Sequence, residues 1–67
     1  MIDVLVNGEK QAVAVGATLA DLLANLGLEG KRLAVEINDE IVPRSQHLSW
    51  CVNSGDRIEI VQAIGGG

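Results

Sequence analysis

Aromatic residues, cysteine and proline are nearly missing from this chain of 67 residues. It has one tryptophan and no phenylalanine or tyrosine, so aliphatic side chains must form the core. The single cysteine, Cys51, excludes an internal disulfide, and we expect a reducing compartment such as the cytoplasm. No apolar run approaches the roughly 20 residues of a membrane-spanning helix, and no charged and then apolar leader opens the chain. We therefore expect no membrane association.

Basic residues are also scarce. Five lysines and arginines stand against nine aspartates and glutamates, which gives a formal net charge of −4. The basic residues are scattered along the sequence, whereas nucleic-acid-binding proteins cluster them, so no nucleic-acid function is expected. The negative charge could steer the protein toward a basic patch on a protein partner, or it could serve solubility alone. The five residues are Lys10, Lys31, Arg32, Arg44 and Arg57.

The apolar content is high enough for one small domain, since 48% of the residues are hydrophobic. A chain of this length lies near the lower limit for folding without disulfides or metals. We expect the domain to span residues 1–64 and a flexible glycine tail to follow at residues 65–67.

The first half of the chain predicts a β-hairpin and then a helix. Strands at residues 2–6 and 10–15 flank Asn7-Gly8, the strongest short hairpin signal, and we expect Val13 and Val15 to share one face. Thr18 is a suitable helix N-cap, with Asp21 at the capping-box position. An apolar stripe at helical spacing follows, and Gly27 ends the helix. The stripe, which we expect to lie across the sheet, is Leu19, Leu22, Leu23 and Leu26.

The second half predicts three more strands, at residues 33–37, 41–42 and 57–64. Pro43 cannot donate to a strand ladder, so the middle strand should be short or at an edge. Residues 44–49 are expected to form one helical or 3₁₀ turn, with Leu48 and Trp50 covering the end of the core. The order ββαβββ indicates an α+β roll, in which a final strand with Ile58 and Ile60 inward is well placed at the centre of the sheet.

The sequence ends on three glycines, Gly65, Gly66 and Gly67, directly after the last predicted strand. Glycine adopts backbone angles closed to other residues, so such a tail can thread a narrow cleft. Three extended residues reach roughly 10 Å, which would carry a terminal carboxylate into a partner's active site. A frayed terminus or a cloning scar is the alternative. Because restriction-site and tag residues are missing, we favour a functional tail.

Three stretches together resemble a known family over essentially the whole chain. They are the opening hairpin through Asn7-Gly8, the segment Ile-Asn-Asp-Glu-Ile-Val-Pro-Arg at 37–44, and the end from Gly55-Asp56 to Val-Gln-Ala-Ile-Gly-Gly-Gly at 61–67. The chain resembles the ThiS family, the small sulfur-carrier proteins of bacterial thiamine biosynthesis. This resemblance implies a ubiquitin-like β-grasp fold: a mixed sheet of four to five strands, the first and last parallel at its centre, with one main helix packed across one face. The third terminal glycine departs from the family's diglycine minimum and adds slack at Gly65.

The resemblance also implies the chemistry. An adenylating partner related to the ubiquitin-activating enzymes would use ATP and Mg²⁺ to form an acyl-adenylate on Gly67. Sulfur from a cysteine desulfurase system would then give a Gly67 thiocarboxylate, which a thiazole synthase would consume. The protein would itself be no enzyme, hold no cofactor or metal, and act as a monomer.

Two surfaces are candidates for partner docking. Val61, Ala63 and Ile64 are predicted to form an exposed apolar patch beside the tail, although they could merely cover the open sheet face. Arg44 could pair with an acid on a partner, but a solvated residue after Pro43 is the favoured interpretation.

Other residues that suggest chemistry have simpler explanations. Cys51 lacks a neighbour that would activate its thiol, and His47 lacks a second ligand at metal spacing. Asp39-Glu40 belongs to a turn and Asp21 to a helix start, so neither is read as part of a catalytic acid pair. Trp50 is expected to be a lid on the core.

Related functions on the same fold remain open. The small subunit of molybdopterin synthase and the tRNA-thiolation carriers are the nearest alternatives, although those chains tend to be longer and the Val-Pro-Arg segment favours the thiamine branch. A different class is a ubiquitin-like interaction module with an inert tail. An enzyme in its own right has almost no support.

Overall fold

The secondary structure follows the predicted order. The structure, a computed structural model, describes residues 1–62. Its elements are β1 (Ile2–Val6), β2 (Glu9–Val13), α1 (Leu19–Asn25), β3 (Leu33–Ile37), β4 (Glu40–Ile41), a 3₁₀ turn (Arg44–Gln46) and β5 (Arg57–Gln62). The ββαβββ order and the 3₁₀ turn are confirmed. The assignment of residues 1–64 to the domain and 65–67 to the tail stays a prediction.

The five strands form one mixed sheet in the order β2-β1-β5-β3-β4. β1 and β5 are parallel, with Leu5 beside Arg57 and Val6 beside Ile58. The other three pairs are antiparallel. The last strand therefore lies at the centre of the sheet, next to the first strand, as expected.

Helix α1 is short and depends on its cap and its buried face. The Thr18 Oγ1 accepts from the Asp21 amide at 3.2 Å, and Asp21 Oδ2 accepts from the Thr18 amide at 3.0 Å, which confirms the capping box. Gly27 follows the helix with φ of +73°, as a C′ residue requires. Because a helix of 7 residues is unstable in isolation, burial of its leucine stripe must hold it in place.

The core lies between α1 and one face of the sheet. Alternate residues of β1, β3 and β5 point into it, and the connecting segments add three residues that the sequence pattern did not predict. The strand residues are Val4, Val6, Val35, Ile37, Ile58 and Ile60, and the additional ones are Ala17, Val42 and Val52.

Three details of the prediction are wrong. β2 ends at Val13, because the chain leaves the sheet for the turn at Gly16, so Val15 lies outside the strand and is 75% exposed instead of sharing the buried face of Val13. β4 is Glu40–Ile41 rather than 41–42. Leu48 is 82% exposed, because the turn after Arg44–Gln46 directs the half-buried His47 and Trp50 inward and leaves Leu48 outside. The predicted covering role of Trp50 is confirmed, since this residue packs against the core.

Strand β5 runs past the end of its parallel neighbour, and a side chain takes over the missing pairing. Asn7 follows β1 with φ of +50°, in the left-handed region that asparagine tolerates. Its Oδ1 accepts from the Ile60 amide at 2.8 Å, and its Nδ2 donates to the Ile60 carbonyl at 3.1 Å. The carboxamide thus continues the ladder that β1 no longer provides.

A second asparagine fixes the beginning of β5. Asn38 has φ of +52°, and its backbone N–H donates to the Arg57 carbonyl at 2.8 Å. Its side-chain Oδ1 accepts from the backbone N–H of Arg57 at 2.9 Å. Its Nδ2 donates to Oδ1 of buried Asp56 at 3.0 Å, and Asp56 Oδ2 accepts from the Asn53 amide at 2.8 Å. The central strand is therefore held at its first residue, Arg57, and again at Ile60 by side chains from the neighbouring turns.

We expect Leu22→Ala to destabilise the fold by about 2–5 kcal/mol, because the 1% exposed side chain would leave a cavity in the core. That loss is comparable to the whole stability of a domain this small. Urea unfolding followed by circular dichroism measures it. Leu48→Ala is the matched control and should change the free energy of unfolding by about 0.5 kcal/mol or less. Similar losses for both variants would contradict the assigned core.

Asn7→Gly tests the carboxamide that pairs with β5. Glycine keeps the positive φ of the turn and removes both hydrogen bonds to Ile60, so a loss of about 1–3 kcal/mol is expected. Amide hydrogen exchange locates the effect. The Ile60 amide should lose more protection than the Val42 amide, which bonds to the Val35 carbonyl elsewhere in the sheet. Equal losses at these two amides would exclude a specific role for Asn7.

Candidate functional site

The end of β5 is where the structure approaches the predicted reactive tail. Val61 lies opposite Ala34, and Gln62 lies opposite Leu33 at the start of β3. Gln62 is also the last described residue. The predicted site residues Ala63, Ile64, Gly65, Gly66 and Gly67 lie outside the described residues, and their roles stay predictions.

The sheet face that α1 does not cover exposes several apolar side chains. Val61 is 64% exposed, which confirms its predicted exposure, while its role in docking stays a prediction. Ile41 is 71% exposed on β4, and Leu5 is 39% exposed on β1. Leu5 lies between the buried Val4 and Val6 and so points to the opposite face of β1, whereas the two-residue strand of Ile41 is too short for a pattern to indicate its exposure.

The same face is acidic at its centre. The antiparallel register of β3 and β5 sets Glu36 directly opposite Glu59, and both are exposed. Like charges in such a pair are destabilising. Asp39 and Arg57 form an ion pair at 3.1 Å nearby, but both are exposed, so the pair contributes about 1 kcal/mol or less. An apolar and acidic surface of this kind fits a partner with apolar and basic groups.

The fold brings Arg44 to the adjacent basic pair Lys31 and Arg32. Lys31 and Arg44 line a depression beside α1, and Arg32 and Arg44 line a second one that includes Val61. Leu33 borders both. In the part of the chain that the structure describes, Arg44 has no carboxylate within 4.0 Å, which agrees with a solvated side chain and leaves it free to meet a partner.

The structure also gives the surroundings of the residues set aside in the sequence. Cys51 is an exposed free thiol, and its backbone bridges to Thr18. His47 lies 3.3 Å through its Nε2 from the Val42 carbonyl oxygen. Residues 1–62 contain no group of three or more histidine, cysteine, aspartate or glutamate side chains that would hold a metal ion. Among the same residues, no helix is long and apolar enough to span a bilayer.

Asp56 has a role that the sequence analysis did not identify. It is 8% exposed, and its carboxylate joins the turn before β5 to the turn after β3. An acidic residue directly before a β-branched strand gave no signal that its carboxylate would be buried. Its contacts are all structural, because they fix the start of the strand that leads to the tail.

Comparison with known proteins extends the similarity to the whole chain. The model of the ThiS family matches residues 4–67. The sulfur carrier protein ThiS of Escherichia coli is 36% identical over 66 residues, which cover 98% of this chain and 100% of that protein. A thiazole synthase of Paramagnetospirillum magneticum is 44% identical over 63 residues, or 94% of this chain. The chain spans about a fifth of that relative's length, since the match covers 19% of it.

A solved structure agrees in fold. The crystal structure of the thiamine biosynthesis protein ThiS from Geobacter metallireducens superposes with a TM-score of 0.83, at 29% identity, and the match covers 98% of this chain and 100% of that one. The mixed five-stranded sheet with parallel β1 and β5 is the β-grasp arrangement of that neighbour. On the family match, the full-length relative and the shared fold, the chain belongs to the ThiS family.

Proposed function

We propose that this protein is a sulfur carrier for thiazole formation in thiamine biosynthesis, with sulfur held as a thiocarboxylate on Gly67. The main support is the similarity over 98% of the chain to a protein named sulfur carrier protein ThiS. The family match also runs through residue 67 and so includes Gly65, Gly66 and Gly67.

The proposed chemistry needs activation by a partner. A terminal carboxylate is ionised at neutral pH and is a poor electrophile, because neither oxygen is a leaving group. An adenylating enzyme that uses ATP and Mg²⁺ would release pyrophosphate and leave an acyl-adenylate on Gly67. The terminal sulfur of a persulfide from a cysteine desulfurase system would then displace AMP and form an acyl disulfide with Gly67. A thiol would reduce that disulfide, so that a disulfide forms between the two thiol sulfurs and the Gly67 thiocarboxylate, the sulfur donor, is released. The protein holds no cofactor in this scheme and is a co-substrate rather than an enzyme.

The glycines suit this scheme physically. A side chain on Gly66 or Gly67 would crowd both the adenylate-forming cleft and the incoming sulfur. The body of the protein provides a fixed support, because the side chains of Asn7 and Asn38 form hydrogen bonds with the strand that leads to the tail. A fixed strand followed by an unhindered end lets a partner dock on the body and still receive the carboxylate. Val61, Ala63 and Ile64 are the residues we propose for docking beside the tail.

The proposed partners are the adenylating enzyme, the cysteine desulfurase system and a thiazole synthase. The last is supported by the Paramagnetospirillum magneticum relative of that name, in which a segment similar to this protein occupies about a fifth of the chain. We further propose that the protein acts as a monomer in the cytoplasm, without nucleic acid.

Changing the tail should abolish adenylation and leave the fold intact. Gly66→Val adds a branched side chain to the threaded segment, and deletion of Gly67 shortens it, so neither variant should support ATP–pyrophosphate exchange by the adenylating partner. Gly65→Ala is the control and should retain most of the exchange, because Gly66 and Gly67 remain. Circular dichroism should show unchanged folds. Normal exchange with Gly66→Val or with the deletion would refute the proposed site.

The carrier state should be visible by mass. A fraction of the intact protein, incubated with the adenylating partner, ATP, the sulfur source and a thiol reductant, should gain the mass difference between sulfur and oxygen, and fragmentation should place it on Gly67. Protein without residues 65–67 should gain nothing. If the full-length protein keeps its mass under these conditions, the sulfur-carrier proposal fails.

A further inference from the structure

We propose that a groove on the α1 side of the sheet docks an acidic segment of the thiazole synthase that presents an apolar anchor side chain. The inference rests on the proposed sulfur-carrier function and adds a second partner surface to it, distinct from the open sheet face. We name this surface the basic groove, and define it by its leucine walls (Leu23, Leu28, Leu33 and Leu48) and its basic rim (Lys31 and Arg44).

The size and lining of the basic groove fit a protein side chain. Its volume is about 250 Å³, below the roughly 300–1,000 Å³ of pockets that enclose small-molecule ligands. Leu23 is buried at its floor, Leu28 and Leu33 are half-buried, and Leu48 stands 82% exposed at its edge. The exposed leucine and the apolar depression beside it therefore form an apolar surface that a partner can cover.

The rim has a charge opposite to that of the whole protein. Lys31, Arg32 and Arg44 are three of the five basic residues of a chain with a net charge of −4, and all three lie in or beside the basic groove. Among residues 1–62 the one ion pair joins Arg57 to Asp39, so these three side chains have no carboxylate within 4.0 Å there.

The composition of the rim indicates an acidic occupant. One acid, Glu29, lines the basic groove, together with the half-buried His47. A guanidinium such as that of Arg44 binds a carboxylate through two parallel hydrogen bonds, and arginine is enriched in protein interfaces. Carboxylates on the occupant would supply the partners that these cations do not have within the described chain.

The open sheet face would repel the same acidic segment. Glu36 and Glu59 form its centre, so that face suits a partner of the opposite charge. A carrier that meets an adenylating enzyme and a thiazole synthase in turn can therefore use two surfaces of opposite sign. The adjoining depression brings Arg44 to Val61, one residue before the end of the described strand, so a partner in the basic groove would contact the protein close to the tail.

Matched variants separate the basic groove from general effects of charge and polarity. Lys31→Glu reverses a charge on the rim, and Lys10→Glu makes the same change on β2, away from it. Leu48→Asp removes the exposed leucine, and Val15→Asp makes a similar change at another exposed apolar residue, 75% exposed. Thermal unfolding verifies that all four variants are folded.

Isothermal titration calorimetry with full-length thiazole synthase is the primary measurement. Lys31→Glu and Leu48→Asp should each raise Kd roughly tenfold, and the two controls should remain within about twofold of the unchanged protein. Added salt should weaken binding of the unchanged protein and reduce its advantage over Lys31→Glu, because screening acts on the charge pairs. ATP–pyrophosphate exchange with the adenylating partner should be the same for all.

The inference is overturned if Lys31→Glu and Leu48→Asp leave Kd unchanged, or if the unchanged protein does not bind thiazole synthase. It is also overturned if these two variants lose ATP–pyrophosphate exchange but still bind thiazole synthase normally. The proposed function is judged separately by formation of the Gly67 thiocarboxylate. If that product forms and the groove variants bind normally, the carrier function stands and the basic groove is rejected.

Discussion

The structure depends on holding one strand, β5, in the middle of a very small sheet. Its two neighbours do not reach all of it, since the paired residues of β1 end beside Ile58. Asn7 and Asn38, both with positive φ, supply the missing hydrogen bonds at Ile60 and Arg57 through their side chains. Each unmade bond on a buried strand would cost about 1–3 kcal/mol, a large share of what a domain of this size has available. Fixing β5 therefore stabilises the fold and at the same time gives the tail a rigid base.

Local signals explain why so much of the fold was predictable. The Asn7-Gly8 turn, the Thr18–Asp21 capping box and the leucine stripe of α1 each specify structure within a few residues, and all are confirmed. The errors at Val15 and Leu48 have different causes. Val15 continues the alternation of β2 beyond the point where the chain leaves the sheet, and Leu48 lies on the outer side of a turn whose orientation only the tertiary contacts of His47 and Trp50 determine.

The site was less predictable than the fold, because its surfaces are made by distant residues. The exposure of Val61 followed from the period of β5, and the exposure is confirmed. The pairing of Glu36 with Glu59 requires the register of two strands that are far apart in sequence. Likewise, Arg44 is 12 residues from Arg32 in the sequence, and only the two depressions that share Arg44 and Leu33 show that it belongs to one basic region with Lys31 and Arg32. Glycines at 65–67 indicated a functional tail through chemistry and family resemblance rather than through any structural pattern.

The nearly complete lack of aromatic residues has a practical consequence. Trp50 is the protein's single intrinsic fluorophore of any strength, and it is half-buried against the aliphatic core beside the segment that precedes β5. Its emission therefore reports on one known place, without overlapping contributions from tyrosine or other tryptophans. A shift to longer wavelength would mark entry of water at that end of the core, so loosening of this end becomes observable in the native sequence, without an added label.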